Sequence, residues 1–256
     1  MRKERTQTSH SLMTPAWLLP QGRRMKKRSG TSANTRLAFR SFLARIALYA
    51  VLPPTLALTG CREPTDVELF NRAVEAVSAG ESTRLDMRKR TDITDAELMK
   101  LAGLSGLRWL RLDGCQITDD NVHYLVSIPD LETLYVSDTR ISDAGLDQIC
   151  SIRTLKKLTI DGTPITDKGL GSLRELPNLE ELSLWRCYVT DRGCDTLAEL
   201  RGLKKLSLDG TQVTDKGVRK LFVLKDLERI SLWKTPVTDR GVAALKKALP
   251  NLEVNQ

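Results

Sequence analysis

The chain has 256 residues, 41% of them hydrophobic, so it is long enough to bury a sizeable core in one or two domains. Its formal net charge of +8 suggests an acidic partner, yet 11 of the 40 basic residues and only one of the 32 acidic residues lie in residues 1–60. The remainder carries 29 basic and 31 acidic residues, a net charge of −2. This distribution argues against nucleic-acid binding.

The first 60 residues have the organisation of an export signal. Residues 23–45 are rich in Arg, Lys and Ser, and the 15 residues 46–60 that follow are uncharged, which is the order of a charged n-region and an apolar h-region. A helix of that length spans about 22 Å, less than the ~30 Å hydrocarbon core, and Pro53-Pro54 interrupts it. We therefore expect export rather than a permanent membrane span.

The start of this leader is open to question. Met25 begins the sequence MKKRSG and is a more usual start for such a signal than Met1. Residues 1–24 are therefore a candidate mis-assigned extension.

A lipid-attachment motif ends the leader. The sequence Leu58-Thr59-Gly60-Cys61 resembles the bacterial lipobox, whose cysteine receives diacylglycerol before cleavage. The resemblance implies lipidation of Cys61 and durable membrane attachment, because each buried acyl methylene contributes about 0.8 kcal/mol. Two alternatives are a cleaved signal in which Cys61 is incidental and an uncleaved anchor that stops at Arg62. Arg62 after the cysteine resembles outer-membrane sorting, so we expect a cell-envelope protein on the outer-membrane or periplasmic side.

Residues 61–84 form a linker and a capping helix in our interpretation. Apolar residues recur with helical spacing between Thr65 and Ala79, Gly80 follows, and Leu85-Asp86-Met87 has the alternation of a strand. The pattern predicts a helix that covers the N-terminal end of the core.

From residue 85 to residue 256 the chain repeats every 24 residues. An aliphatic residue, then Thr or Ser, then Asp recurs at each interval, and L-x-x-L-x-L occurs six times, as in residues 107–112. This pattern resembles leucine-rich repeats, in particular the subtype of bacterial exported proteins and of cysteine-containing, F-box-associated repeats. The resemblance implies an α/β right-handed solenoid with a parallel sheet on its concave face and short helices on its convex face. The aliphatic positions of the motif are 93, 117, 141, 165, 189, 213 and 237.

The physics of the repeat agrees with this resemblance. In L-x-L two apolar side chains lie on one face of a short strand, which cannot bury that face alone but can do so against neighbours stacked at about 4.8 Å. The Thr or Ser of each motif is suited to cap a helix, and the Asp lies near the positive helix end. At the C-terminus, residues 249–252 repeat residues 176–179 one residue late, and we favour a short closing strand near Val254.

The cysteines of the repeats are predicted to be structural. Cys115 and Cys187 share a turn position that otherwise holds Thr, which we interpret as a buried ladder bonding the turn backbone, and Cys194 replaces an aliphatic helix residue. A disulfide between Cys115 and Cys187 would cross roughly 14 Å, too far for the bond. Cys150 is expected to be partly exposed on the convex side. The turn positions are Cys115, Thr139, Thr163, Cys187, Thr211 and Thr235.

No catalytic or metal-binding constellation is evident. The chain has two histidines, His10 in the leader and His123 on a predicted convex helix, so neither a His-based triad nor a His-rich metal site can form. We attribute the repeated Asp residues to helix-start electrostatics rather than to calcium. The glycines that follow Lys or Arg in D-[KR]-G are attributed to tight helix packing rather than to phosphate binding. We expect no enzyme, no cofactor and no metal.

The outward strand positions are the candidate binding surface. Trp185 and Trp233 are two repeats apart, roughly 10 Å, with Asp209 between them, which suits an aromatic and basic hot spot. Alternatively, both indoles fold over the strand ends and shield the core, with cation–π support from Arg186 or Lys234. The flanking candidates are Arg186, Tyr188, Arg229 and Lys234, and a second outward cluster consists of Trp109, Arg111 and Tyr135.

The sequence thus predicts a membrane-anchored, monomeric scaffold that binds a protein partner on its concave face. A binder of cell-wall glycan or peptidoglycan is the alternative, because stacked Trp also suits sugar rings. A third interpretation, an F-box-like effector that recruits ubiquitination machinery, lacks an F-box-sized helical domain before the repeats.

Overall fold

A computed structural model describes residues 63–90 and 92–256. Each x-Leu-x triplet of the repeat, or its aliphatic equivalent, forms a three-residue strand, and the strands pair in parallel and in chain order. Leu85, Leu110 and Leu134 lie opposite one another, and the same register continues along the sheet. The strands are β1 (Arg84–Asp86), β2 (Trp109–Arg111), β3 (Thr133–Tyr135), β4 (Lys157–Thr159), β5 (Glu181–Ser183), β6 (Lys205–Ser207), β7 (Arg229–Ser231) and β8 (Glu253–Asn255).

Short helices connect the strands, which makes the described chain an α/β solenoid of the predicted kind. The helix predicted between Thr65 and Ala79 is present, and Thr65 caps it through a capping box with Glu68. The α-helices are α1 (Asp66–Ser78), α2 (Asp95–Leu98), α3 (Val122–Val126), α4 (Asp143–Ile149), α5 (Gly193–Leu197), α6 (Asp215–Lys220) and α7 (Asp239–Ala248). The 3-10 helices are Met99–Leu101, Asp119–Asn121, Gly169–Glu175 and Leu221–Val223.

One hydrophobic core runs through all the repeats between the sheet and the helices. Phe70 of α1 is fully buried at its N-terminal end, and Leu245 of α7 is fully buried at the other. The expected closing strand is present, because β8 pairs with β7 and Val254 packs against the core. Both ends of the repeat core are thus covered by the elements that the sequence predicted.

The turns after β2 to β7 contain the predicted ladder of Thr and Cys side chains. The hydroxyl of Thr163 donates to the Ile160 carbonyl at 2.5 Å, and the Cys187 thiol donates to the same carbonyl from the next repeat at 3.3 Å. Thr139, Thr211 and Thr235 make the equivalent bond within their own turns. The position therefore satisfies turn carbonyls that strand pairing leaves free.

The prediction for Cys150 is wrong. Its side chain is 1% exposed, because the short apolar thiol at the end of α4 packs into the core, whereas the longer Arg174 at the equivalent position reaches solvent. Burial raises the pKa of the Cys150 thiol to about 12. Cys115, Cys187 and Cys194 are buried and unpaired, as expected of interior thiols.

The repeated Asp residues do more than complement helix ends, so the electrostatic explanation was incomplete. Asp191 accepts hydrogen bonds from the backbone N–H and the hydroxyl of Thr214, at 2.7 Å each, and from the Gly217 N–H at 2.9 Å. Thr214 and Gly217 belong to the next repeat, so the carboxylate joins two coils. The same Asp-to-cap bonds join residues 119 to 142, 143 to 166, 167 to 190 and 215 to 238.

The Thr and Ser residues of the motif cap helices in most repeats. Thr94, Thr118, Ser142, Thr214 and Thr238 are the N-cap residues of their helices. In the other two repeats Thr166 and Thr190 accept the N–H two residues ahead, as Ser142 and Thr214 do, but the helices begin later, at Gly169 and Gly193. The capping prediction is therefore confirmed in five repeats and modified in two.

The glycines of D-[KR]-G are required for close packing between coils, as predicted. A Cβ at Gly217 would overlap the Asp191 carboxylate and lie 2.9 Å from Cys194 Sγ. Gly171, in contrast, has no atom within 4 Å of the Cβ position. The repeated glycine is thus the position across which the preceding Asp reaches the next coil.

Substitution of these two glycines with Ala should change stability in opposite directions. We expect Gly217→Ala to lower the free energy of unfolding by about 1–3 kcal/mol, because the methyl group displaces the Asp191 bond. Gly171→Ala should leave it unchanged or raise it by up to about 1 kcal/mol, because the unfolded chain loses entropy. Urea unfolding of both variants measures this, and equal effects would contradict the packing argument.

Acid should destabilise the inter-coil bonds only at low pH. Burial tends to raise the pKa of Asp191, but hydrogen bonds from Thr214 outweigh it and the pKa is lowered; bonds from Thr238 likewise lower the pKa of Asp215. A lowered folded-state pKa gives stability that is complete above the unfolded value, about 3.9, and is lost as pH falls through the folded one. The unfolding midpoint should decline below pH ~4, and less steeply in Asp191→Asn plus Asp215→Asn.

Candidate functional site

Three columns of side chains cross the concave face of the sheet. The first column is the first residue of each strand, the second column is the third residue, and the third column lies two positions beyond the strand. The first column contains Arg84, Trp109, Thr133, Lys157, Glu181, Lys205, Arg229 and Glu253. The second column contains Asp86, Arg111, Tyr135, Thr159, Ser183, Ser207, Ser231 and Asn255. The third column contains Arg88, Asp113, Ser137, Asp161, Trp185, Asp209 and Trp233.

The third column is organised by carboxylates in alternate repeats. Asp161 Oδ1 accepts the backbone N–H of Trp185 at 2.8 Å, and Asp209 Oδ1 accepts that of Trp233 at 2.6 Å. Asp113 bonds the Ser137 N–H in the same way. Burial raises the pKa of Asp161, although bonds from Ser183 and Trp185 oppose the rise. Each Asp therefore fixes the backbone from which the next third-column side chain projects.

The residue that follows each third-column position has a left-handed backbone. These residues are Lys89, Gly114, Asp138, Gly162, Arg186, Gly210 and Lys234. Gly162 and Gly210 follow the Asp repeats with φ of +65° and +64°. Arg186 and Lys234 follow the two Trp residues with φ of 59° and 54°. A left-handed conformation is costly for a residue with a side chain, about 1–2 kcal/mol. Long cationic side chains thus occupy positions where glycine fits better.

The two tryptophans are at the surface. Trp185 is 36% exposed and Trp233 is 48% exposed. The Arg186 guanidinium lies 5.5 Å from the Trp185 ring centroid, and Lys234 Nζ lies 3.9 Å from that of Trp233. The cation–π contacts expected of the shielding interpretation are present, and so is the exposure expected of a binding surface. We name Trp185, Arg186, Trp233 and Lys234 the Trp patch.

The other predicted residues near this patch have separate surroundings. Asp209 lies between the two Trp repeats and is bonded to Trp233, as described above. Arg229 belongs to the first column and pairs with Glu253 at 2.7 Å. Tyr188 is 61% exposed but follows the turn rather than the strand, and its N–H donates to the Ile165 carbonyl. Along the strand direction, Arg229 therefore lies before the Trp patch and Tyr188 lies after it.

The second predicted cluster is brought together by the structure. The rings of Trp109 and Tyr135 have centroids 5.3 Å apart, and the Arg111 guanidinium lies 4.6 Å from the Tyr135 ring. Arg84 lies over Trp109 at 3.9 Å, and Arg111 Nε donates to Asp113 Oδ2 at 2.6 Å. These side chains stack on one another and form a raised block at the N-terminal end of the sheet.

A groove with a volume of about 570 Å³ runs along the concave face, and its lining includes Arg111 and Tyr135 of this block and Trp185 of the Trp patch. Its floor is the run of small hydroxyl residues in the second column, Thr159, Ser183, Ser207 and Ser231, which the sequence analysis did not single out. Trp185 lies on one wall, whereas Arg186, Trp233 and Lys234 are not among the lining residues. The sequence contains a signal for this floor, because the second column changes from the large residues Arg111 and Tyr135 to four small residues in succession.

The opposite wall of the groove is an ion-pair ladder. Glu181 accepts Lys157 at 2.7 Å and Lys205 at 2.6 Å, one from each neighbouring strand. Burial tends to raise the pKa of Glu181, but the two ammonium groups outweigh it and the pKa is lowered. Both lysines are therefore held in ion pairs with Glu181 along this wall. Arg186 and Lys234 form no ion pair with any residue of the described chain.

The described residues provide a surface suited to binding. Within 63–90 and 92–256, no three His, Cys, Asp or Glu side chains are grouped so that they could hold a metal ion. In the same ranges no helix is long and apolar enough to cross a membrane. The predicted signal segment and Cys61 lie outside the described residues.

The match to a repeat-family model agrees with the fold. A family model described as leucine-rich repeat matches residues 128–150 and 201–222. No curated protein matches the chain. Among solved structures, similarity extends to two internalins from Listeria monocytogenes and to a TDR receptor. The first internalin is 20% identical with a TM-score of 0.46, over 78% of this chain and 66% of the other; internalin C2 is 22% identical with a TM-score of 0.45, over 77% and 88%. The receptor is 18% identical with a TM-score of 0.43, over 61% and 27%.

The chain thus spans less than two thirds of the first internalin and about a quarter of the receptor. The parallel eight-stranded sheet with its connecting helices, together with the repeat-family match, defines a leucine-rich-repeat solenoid. Such solenoids generally mediate protein–protein interaction through the exposed face of the sheet.

Proposed function

We propose that this chain is an interaction scaffold that binds a protein partner on its concave face, with the Trp patch as the main contact. The observation that supports the proposal is the exposure of two tryptophans whose backbones are held by Asp161 and Asp209. Rigid aromatic side chains beside unpaired cations are the residue types that dominate protein interfaces. Their preorganised backbone lowers the entropy lost on binding.

The residues around the Trp patch define the extent of the proposed interface. Arg229, Tyr188 and Asp209 form its rim, and the stacked cluster of Trp109, Arg111 and Tyr135 forms a second contact region beyond the groove. The cluster ranks below the Trp patch because Trp109 and Tyr135 stack on each other and are only half-buried, whereas Trp185 and Trp233 are exposed and each contacts one cation. Hot spots are typically few and surrounded by contacts that mainly exclude water.

We also infer that the protein is exported and attached to a membrane through a lipid on Cys61. The support is the order of a basic segment, an apolar segment and Leu58-Thr59-Gly60-Cys61 in the sequence. Two or three acyl chains suffice for durable attachment, so no basic protein surface is required. This arrangement would present the repeats to partners in the cell envelope.

Removal of the two exposed indoles tests the interface. The full chain, Trp185→Ala plus Trp233→Ala, and the control Met99→Ala plus Val223→Ala, which removes exposed apolar side chains from the helix side, are each used for cross-linking and pull-down. Hot-spot residues contribute about 2 kcal/mol or more each, so we expect partner retention to fall at least about 30-fold in the Trp variant alone. Retention of every partner by the Trp variant would refute the proposed surface.

Substitution of Cys61 tests the anchor separately. In a bacterial host, the unaltered chain should partition with membranes and incorporate labelled fatty acid. Cys61→Ser should lose the label and its processed form, because only the thiol accepts diacylglycerol in the motif it resembles. Cys115→Ser, which alters a buried repeat thiol, is the matched control and should keep the label. Labelling that persists in Cys61→Ser would contradict lipidation at this residue.

A further inference from the structure

The two tryptophans of the Trp patch have a spacing that selects among ligand shapes. Trp185 and Trp233 occupy the same position in repeats that are two strands apart, and both backbones are bonded to an Asp of the preceding repeat. Adjacent strands lie about 4.8 Å apart, so the two positions are separated by about 9.6 Å. A ligand that contacts both indoles alike must offer equivalent groups at that interval.

A polyproline II helix offers this interval. It has three residues per turn and a rise of about 3.1 Å, so residues i and i+3 lie on one face about 9.3 Å apart. In an extended strand, residues separated by about 10 Å point to opposite faces. An α-helix presents the same face about every 10.5 Å, or seven residues. Its diameter of about 10–12 Å, however, would overlap the side chains that form the groove walls.

The dimensions of the groove fit such a segment. The hydroxyl floor runs from Thr159 to Ser231 across three strand spacings, about 14 Å, which corresponds to four or five polyproline II residues. The first and third columns are four residues apart along the strand, about 13 Å between Cα atoms. Side chains on both walls, such as Glu181 and Trp185, narrow this width.

The hydrogen-bonding groups of the Trp patch are complementary to such a chain. A polyproline II backbone has no internal hydrogen bonds, and its proline residues offer only carbonyl acceptors. The indole N–H groups of Trp185 and Trp233 donate no hydrogen bond to any residue in the described part of the chain. They are therefore available to ligand carbonyls. Ser183 and Ser207 donate to Asp161 and Asp209 instead.

The charges beside the indoles favour an acidic segment. Lys157 and Lys205 share the single carboxylate of Glu181, and Arg229 pairs with Glu253, so each of these cations already has a carboxylate partner. Arg186 and Lys234, in contrast, contact the faces of the two indoles and have no carboxylate partner in the described part of the chain. Two cations repeat with the interval of the two tryptophans, so acidic residues three positions apart in a ligand would meet both.

We propose, on the basis of the proposed function, that the bound part of the protein partner is a proline-rich, acidic segment in the polyproline II conformation. It lies along the hydroxyl floor, across the strands, with prolines against Trp185 and Trp233 and carboxylates on Arg186 and Lys234. The preformed conformation of such a segment reduces the entropy lost on binding.

Synthetic peptides test this proposal with the full chain. The probe is fluorescein-labelled (Glu-Pro-Pro)5, followed by polarisation and by tryptophan emission. The comparison peptides are (Glu-Gly-Gly)5, with the same charge but a flexible backbone, and (Lys-Pro-Pro)5, with the same conformation and opposite charge. We expect the first peptide to bind at least about tenfold more tightly than either comparison peptide. A chitin hexasaccharide serves as the sugar probe.

Variants assign the binding to the patch. Trp185→Ala and Trp233→Ala should each weaken (Glu-Pro-Pro)5 binding at least about tenfold, whereas Met99→Ala, which removes an exposed apolar side chain from the helix side, should not. Arg186→Gly and Lys234→Gly suit the left-handed backbone at those positions, so they keep the fold while removing the cations. Each should weaken binding about threefold to tenfold and reduce its dependence on salt. Circular dichroism verifies that every variant is folded.

The outcomes separate this inference from the proposed function. If partner retention depends on the two tryptophans but (Glu-Pro-Pro)5 neither binds nor displaces the partner, the segment type is wrong and the interface stands. Equal binding of the Glu and Lys peptides overturns the acidic assignment. Trp-dependent binding of the hexasaccharide in place of the peptide overturns both in favour of a glycan ligand. Competition by (Glu-Pro-Pro)5 for the retained partner supports the proposal.

Discussion

The whole structure depends on the fact that a three-residue strand cannot bury its own apolar face. Leu110 of β2 is completely buried only because Leu85 and Leu134 lie on either side of it. Each coil is therefore stable mainly through its neighbours, and the 24-residue interval has to be kept so that identical side chains meet. Apolar contact alone tolerates small slips, so a directional interaction is also needed to hold the register.

The inter-coil carboxylates provide that direction. Asp191 bonds the cap of the next helix, and Gly217 leaves the space through which it does so. A second set of carboxylates acts on the concave face, where Asp161 and Asp209 hold the backbones of the two tryptophans. The same side-chain chemistry thus fixes the helix side of the solenoid and arranges its outer sheet face.

The concave face is not uniform along the solenoid. The N-terminal strands carry the stacked cluster of Trp109, Arg111 and Tyr135, and the C-terminal strands carry small hydroxyl residues bounded by the Trp patch. Alternation over two repeats, with Asp in one and Trp in the next, gives the patch its interval of about 9.6 Å. A ligand that lies across the strands would therefore encounter a repeating pattern, which is the physical basis for assigning its shape.

The sequence by itself determined the fold, because the 24-residue interval, the L-x-L alternation and the Thr-Asp motif have one physical solution: coils that stack in parallel. It also determined the two end elements, α1 and β8, and the turn ladder of Thr and Cys, since each follows from local periodicity or from a position repeated in every coil. The register assigned the two tryptophans to the outer face but left open whether their indoles shield the core, and the tertiary structure decided their exposure. Only the tertiary structure decided what depends on neighbouring coils. It decided the burial of Cys150, the bonds from Asp191 to the next repeat, the pairing of Lys157 and Lys205 with Glu181, and the groove over Thr159 and Ser231. These features arise between residues of neighbouring repeats, about 24 positions apart. A single repeat carries no record of which side chain its neighbour presents.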